Sequence, residues 1–285
     1  MQKHSIYSIY MSDHTSFEVT RIGNGEGSSA WDEVIREAPL LIRVNGAAYA
    51  TLMRTPGQEK ELALGFCFTE GLLPSSWRDG GLRWEEFDPQ RNTIGLWFEP
   101  ISISGAVASG FQSPSFWVDS AECSPIEPSG DEAEIISRVS SSLGMIDSGV
   151  RIPLSALQGI ESQARQKQAL FALTGAAHAA CIFDRQGNFL FCSEDLARHN
   201  ALDKAIGQAL LAGVELEDKI LFLSGRTNYT LIRKAARGRI PIIVSVSAPS
   251  SLAVGLSRRL GITLIGFLRS GKMNIYAGAE RIIMR

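Results

Sequence analysis

Ile220-Leu-Phe-Leu-Ser-Gly-Arg226, Tyr229–Ala236, Ile240-Pro-Ile-Ile-Val-Ser-Val246, Ser250–Leu260 and Ile262-Thr-Leu-Ile-Gly-Phe267 follow one another, and their reading decides the fold. Three short runs are apolar on both faces. Between them lie two stretches whose apolar residues recur at helical spacing. Strands of that kind, joined by amphipathic helices, form a sheet that is at least partly parallel and carries helices on its faces. The expected class is α/β.

Upstream, Ala179–Phe183 and Asn188–Phe191 flank Asp184–Gly187 as a hairpin. A helix carrying Leu196, Ala201, Leu202, Ala205, Ile206 and Leu210 follows, with Asp195 or Ser193 as its expected cap. Nearer the N-terminus, Pro39–Val44 and Ala47–Met53 surround Asn45-Gly46, a strong hairpin turn signal. After Arg54-Thr55-Pro56-Gly57, residues Leu62, Ala63, Phe66 and Cys67 share one face of a helix of about three turns. Asn92–Phe98 and Ile101–Val107 read as strands, and Phe111–Asp131 as irregular. The expected organisation is a weakly ordered, extended lead-in over 1–37 and a smaller α+β part over 38–150. That part contains a mobile cysteine loop at about 108–131, and an α/β domain covers 151–285.

Composition removes several classes. Hydrophobic residues at 45% and charged residues at 20% are the balance of a soluble globular chain. The longest apolar runs are too short to span a bilayer, and residues 1–14 make a poor signal peptide. No membrane partner is expected, and the cytoplasm is the expected location. A net charge of −2 gives no global attraction to nucleic acid. Cysteines at 67, 123, 181 and 192 show no paired spacing, so Cys67, Cys181 and Cys192 read as inert core residues. Histidines at 4, 14, 178 and 199 form no H-x-x-x-H, and there is no C-x-x-C, so no metal site is expected.

Polar residues collect where strands end and helices begin. Ser224-Gly225-Arg226 closes one strand. Ser245–Ser251 closes the next, with Ser247 or Ser250 as a helix cap. Ligands gather outside such strand ends, and free helix N–H groups favour anions there; the plainer alternative is ordinary capping plus a surface arginine. Glu194, Asp195, Arg198, His199, Asn200, Asp203 and Lys204 crowd into eleven positions, with Asp195, His199 and Asp203 on one helical face. That face suits proton transfer or a diphosphate contact, or is a solvated face braced by ion pairs. His178 reads as a ligand contact or a satisfied core histidine, and Arg54 as an anion contact or a turn residue. Phe267-Leu268-Arg269-Ser270-Gly271-Lys272 is a phosphate or base contact, or a basic hairpin. Neither a Walker A motif nor G-x-G-x-x-G is present. Cys123 is the cysteine of the polar, irregular segment, although Glu122 and Glu127 beside it disfavour the thiolate.

In order along the chain stand R-V-N-G (43–46), M-R-T-P-G (53–57), E-L-A-L-G-F (61–66), E-G (70–71), T-G-A-A-H (174–178) and E-D-L-A-R-H-N-A-L-D-K-A-I-G (194–207). They continue as S-G-R (224–226), K-A (234–235), V-S-A-P-S-S-L-A-V (246–254), G-I-T-L-I-G-F (261–267) and M-N-I-Y (273–276). From about Leu40 to Tyr276 this series resembles the formate dehydrogenase accessory proteins of the FdhD type. The resemblance implies a cytidine-deaminase-like α/β sheet domain with a smaller N-terminal part, usually dimeric, although the deaminase zinc ligands are absent. It implies a sulfur carrier that takes persulfide sulfur from a cysteine desulfurase. The recipient would be the bis(molybdopterin guanine dinucleotide) molybdenum cofactor, a transient ligand destined for formate dehydrogenase or a related molybdoenzyme. Guanosine diphosphate would be a partial mimic. The implied cofactor contacts are Arg54, His178, His199, Asp203, Ser224, Arg226, Ser247 and the turn Phe267–Lys272, and the implied catalytic residue is Cys123.

The departure is at the cysteine loop. The family typically shows C-G-x-C-G; here the sequence is Ser120-Ala-Glu-Cys123-Ser-Pro-Ile126. In one register Ser120 replaces the persulfide-bearing cysteine, and in the other Ile126 replaces the second cysteine. Three readings follow: a sulfurtransferase working through Cys123, a cofactor-binding chaperone without sulfur transfer, and a different enzyme using His199 with Asp195 or Asp203.

Overall fold

The computed structural model describes residues 12–98, 117–118 and 130–284. β1 (His14–Gly23) and β2 (Glu26–Ile35) pair antiparallel along their whole length. They turn on Asn24 and Gly25, with φ of 54° and 85°. Two positive φ values make the hairpin turn that matches strand twist, and Asn-Gly is its preferred pair. The weakly ordered lead-in is therefore corrected over residues 14–35, because the Gly/Ser patch Gly23–Ser29 contains a turn.

β3 (Ala38–Val44) and β4 (Ala47–Arg54) form the expected hairpin on Asn45 and Gly46, at φ 51° and 81°. β5 (Arg83–Asp88), β6 (Thr93–Trp97) and β7 (Trp117–Val118) complete a sheet of order β5-β6-β3-β4-β7. The strand expected over Ile101–Val107 lies outside the described residues, as do Cys123 and most of the irregular segment. After the Pro56-Gly57 turn comes α1 (Glu59–Thr69), and α2 (Glu132–Leu143) starts on Asp131, whose carboxylate accepts from the Glu134 amide.

β8 (Ile152–Pro153) leads into three short helices, α3 (Leu154–Gln158), α4 (Ile160–Gln166) and α5 (Ala169–Thr174). The main sheet then runs β9 (His178–Phe183), β10 (Phe189–Asp195), β11 (Ile220–Leu223), β12 (Ile242–Ser245), β13 (Thr263–Arg269) and β14 (Lys272–Ala277). Its order is β10-β9-β11-β12-β13-β14, with β11, β12 and β13 parallel. The interleaved helices are α6 (Arg198–Leu211), α7 (Tyr229–Arg237) and α8 (Ser251–Leu260), and β15 (Ile282–Ile283) returns to pair with β8. No described helix is long and apolar enough to cross a membrane. The α/β class read from residues 220–267 holds.

Alternation along each central strand feeds two cores. Leu221, Leu223, Ile243 and Leu264 pack with α6, α7 and α8 on one face. Ile220, Phe222, Ile242, Val244 and Ile265 pack with Leu157, Ile160 and Ala164 on the other. Leu40, Ile42 and Leu52 of the first sheet belong to the first of these cores. The five-stranded sheet and the main sheet thus share one interior.

Helices α1 and α6 meet through glycine. A Cβ on Gly65 would lie 2.6 Å from the Asp203 carbonyl carbon, and one on Gly207 would lie 2.6 Å from that of Glu61. Each glycine receives the other helix's backbone, which is the physical content of the A-L-G and A-I-G blocks. Cys67 and Cys181 are core residues as read, with Cys192 packed against the core, but two of the three carry a bond that the sequence reading did not expect. Cys181 and Cys192 stand opposite each other on β9 and β10 and are joined as a disulfide. Strand register, not sequence spacing, brings them together.

Candidate functional site

The carboxyl ends of β11, β12 and β13 are tied into one shelf. The Ser224 hydroxyl accepts from the Ala179 amide at 2.8 Å, joining β11 to the start of β9. The Ser245 hydroxyl donates to the Gly225 carbonyl at 2.7 Å and accepts from the Ser247 amide at 3.0 Å. The Thr227 amide donates to Ala248, the Ser250 amide to Thr227, and the Phe267 amide to the Ser247 carbonyl at 3.2 Å. Asn228 caps α7 by accepting from Leu231, and Ser250 caps α8 by accepting from Ala253. Of the two expected caps in that turn, Ser250 is the one used, and Ser247 braces the strand end.

A cationic group borders this shelf. His178 opens β9, and its ring lies against Gly225, where a Cβ would sit 3.0 Å from Nδ1. Arg226 is exposed in the next position, and half-buried Arg198 opens α6. Burial first, and then the charges of Arg198 and Arg226, push the His178 imidazole below its ordinary pKa, with Asp195 opposing. Burial and the Arg226 charge likewise lower Arg198. Among the described residues no carboxylate forms an ion pair with either guanidinium. Like charges held together without a counter-charge favour an anion between them. Arg198 lies in the dense polar block, and in the fold its charge and that of Arg226 act on one another.

Four residues expected to touch a ligand are instead interior. Asp203, 1% exposed, accepts from Lys234 Nζ at 2.8 Å and from the Thr69 hydroxyl at 2.8 Å. Lys234 also bonds Glu70 at 2.9 Å, and Arg233 grips both Glu70 oxygens. Burial works against the Lys234 ammonium, but Asp203 and Glu70 override it and hold its pKa above the ordinary value. Arg54 is fully buried between Glu59, at 3.1 Å, and Asn92, at 3.2 Å. Its Nε and Nη1 have no hydrogen-bond partner among the described residues. His199 is buried with Nε2 3.4 Å from Asn228. Leu268 packs into the core beneath the sheet.

Asp195 is not on the helix with His199 and Asp203; it ends β10. It pairs with Lys204 at 2.7 Å and accepts from the amides of Thr55 and Ala197 and from the Asn200 side chain. The cap of α6 is Ala197, with no side-chain bond, so Asp195 and Ser193 are corrected as caps. Asp195 instead locks the M-R-T-P turn onto the start of α6.

The turn Phe267–Lys272 divides. Ser270 and Gly271, at φ 48° and 77°, make the two-residue connection between β13 and β14, and the Ser270 amide donates to Glu161 at 2.9 Å. Arg269, Ser270, Gly271 and Lys272 are exposed. Phe267 is 42% exposed at φ 56°, a left-handed conformation that costs an aromatic residue energy. It sits at a register shift in the β13–β14 pairing, beside Ser247.

Fold and site together define an α/β protein with a cationic shelf where its parallel strands end. The chain belongs to the FdhD/NarQ family, whose profile matches residues 35–283. It is 34% identical over 284 residues to the sulfur carrier protein FdhD of Streptomyces coelicolor, covering 94% of this chain and 95% of that one. It is 36% identical over 275 residues to the FdhD of Mycolicibacterium paratuberculosis, covering 93% and 97%. The FdhD of Saccharolobus solfataricus is 33% identical over 271 residues, also covering 93% and 97%. A crystal structure of a candidate formate dehydrogenase accessory protein from Desulfotalea psychrophila shares the fold, with a TM-score of 0.74 at 22% identity, over 95% of this chain and 100% of that one.

Proposed function

We propose that this protein is a sulfur carrier that loads a persulfide on Cys123 from a cysteine desulfurase and passes the outer sulfur to the bis(molybdopterin guanine dinucleotide) molybdenum cofactor. It would act in the cytoplasm, as a homodimer, on behalf of formate dehydrogenase or a related molybdoenzyme. Loading exchanges one bond: the Cys123 thiolate attacks the outer sulfur of the donor persulfide, and the donor thiolate leaves. Release of that sulfur as sulfide takes two electrons, which a thiol reductant supplies.

The observation that carries this reading is the cationic group on the strand-end shelf, whose two arginines form no ion pair among the described residues, in a chain of this family. His178, Ser224, Arg226, Ser247, Phe267, Arg269, Ser270, Gly271 and Lys272 remain as contacts for the cofactor's guanosine diphosphate moieties. The other cysteines support Cys123 by elimination. Cys67 is buried, with burial raising its thiol pKa, and Cys181 and Cys192 are bonded to each other. The altered C-G-x-C-G loop favours a second reading, a cofactor-binding chaperone without sulfur transfer. The third reading is dropped, because Asp203 and Asp195 are committed to buried lysines.

Intact-protein mass spectrometry after incubation with a cysteine desulfurase and cysteine tests the sulfur step. A gain of about 32 Da that disappears in Cys123→Ser is expected. No adduct on folded protein selects the chaperone reading.

A further inference from the structure

We propose that Cys181 and Cys192 are a second sulfur-handling site. As a dithiol the pair takes sulfane sulfur on Cys192 and releases it as sulfide, ending in the disulfide that the structure contains. The inference rests on the sulfur-carrier reading above and places a two-thiol site outside the altered cysteine loop.

The two cysteines are direct cross-strand partners. Cys192 on β10 stands opposite Cys181 on β9, and their sulfurs are bonded. Cys181 is fully buried on the face of the sheet that packs with Leu157, Ile160 and Ala164. Cys192 is only half-buried, and its strand ends the main sheet, paired with β9 alone among the described strands. A donor can therefore reach one sulfur and not the other.

The alignment of the pair does not depend on the bond between them. On the turn side, the Asp184 amide donates to the Asn188 carbonyl at 3.0 Å, and Asn188 Nδ2 donates to the Asp184 carboxylate at 2.8 Å. On the other side, the Glu194 carboxylate accepts from the amides of Leu170 and Phe171, and Asp195 pairs with Lys204. Both ends of the hairpin are thus tied down by other groups. When reduced, the thiols stay opposite each other, which is the arrangement an intramolecular exchange requires.

Each chemical step is an attack of thiolate on sulfur. In the first, the Cys192 thiolate attacks the outer sulfur of a donor persulfide; the donor S–S bond breaks, and the donor thiolate leaves. In the second, Cys181 gives up its proton and attacks Cys192 Sγ. The bond from Sγ to the outer sulfur breaks, and that sulfur leaves as HS− with the electron pair and the proton. The two thiols lose two electrons and the sulfane sulfur gains two, the number that release as sulfide requires. A dithiol reductant, entering at Cys192, resets the pair. In the cytoplasm of the reading above, disulfides are transient bonds of this catalytic or redox-sensing kind.

The test uses the full chain carrying Cys123→Ser, reduced and freed of reductant, with a cysteine desulfurase and limiting cysteine. Thermal melts confirm that each variant is folded. This protein should release about one sulfide per chain and finish about 2 Da lighter than its reduced form. Adding Cys181→Ala should abolish release and trap a gain of about 32 Da that maps to Cys192. Adding Cys192→Ser or Cys192→Ala should give neither release nor adduct, and buried Cys67 should stay unmodified throughout. Sulfide release that survives loss of Cys192, or a reduced Cys123→Ser protein that releases none, overturns the proposal. A persulfide on Cys123 of the wild-type chain would then leave the sulfur-carrier reading standing. Release by the pair with no persulfide on Cys123 supports the pair and removes Cys123 instead. A bond that a dithiol cannot open in the folded protein also overturns the proposal.

Discussion

Replacing Gly65 or Gly207 by alanine should cost this protein stability although alanine is the better helix former. On either helix the new Cβ would stand 2.6 Å from a carbonyl carbon of its neighbour, against the 3.4 Å at which ordinary contact begins. The deficit is about 0.8 Å and greater at the oxygen. Both obstacles are backbone, so no rotamer change relieves them, and α1 must move away from α6. That movement strains the bond from Thr69 to Asp203 and the Lys204 bond to the Thr55 carbonyl. Overpacking costs about 1–3 kcal/mol, and a backbone clash belongs at the upper end. Alanine returns about 1 kcal/mol of helix propensity, for a net loss of about 2 kcal/mol. Urea unfolding at constant m-value would read that loss directly. The double variant should lose less than the two single losses combined, since one separation of the helices accommodates both methyl groups. Gly255→Ala is the control: its new Cβ meets only the end of the Ile136 side chain, at 2.6 Å. A Gly65→Ala protein as stable as wild type, or less affected than Gly255→Ala, would refute the reasoning.

Three further outcomes are expected. Lys204→Met leaves the Asp195 carboxylate buried without its partner and should cost about 3–5 kcal/mol in chemical unfolding, with much of it recovered in Lys204→Met/Asp195→Leu. Burial opposes the Glu70 carboxylate, but Lys234 and Arg233 override it and hold its folded pKa below the ordinary 4.5. Its contribution is therefore present above about pH 4.5 and is lost as pH falls through the folded value. Glu70→Gln should flatten the fall in urea midpoint between about pH 5 and pH 3. Phe267→Gly releases a left-handed φ at an exposed position, so stability should hold or rise by up to about 1 kcal/mol while guanosine diphosphate binding weakens. A drop in both stability and binding would show Phe267 to be a packing residue.

Much of the main sheet was legible because its signals are local. Apolar runs at 220–223, 240–246 and 262–267 and the Asn45-Gly46 turn each report on their own few residues, and each element formed where read. The first hairpin was missed although Asn24-Gly25 has the same chemistry. Most side chains of β1 and β2 are exposed, so the glycines and serines outweighed the turn signal. Site residues were legible as a group but not individually. His178, Arg226 and the residue 269–272 turn reached the shelf, whereas Arg54, His199, Asp203 and Leu268 were turned inward.

The sequence by itself determined the α/β class, the strand ends where polar residues gather and, through an ordered series of short blocks, the family. Tertiary structure decided which charges are spent. Asp203 meets Lys234 and Thr69, and Asp195 meets Lys204 and Thr55, only when helices and a turn distant in sequence pack together. A carboxylate neutralised by a buried lysine and one open to a ligand look alike in a sequence. What separates them is desolvation and the distance to a counter-charge, and both are set by packing around two glycines that let α1 and α6 touch.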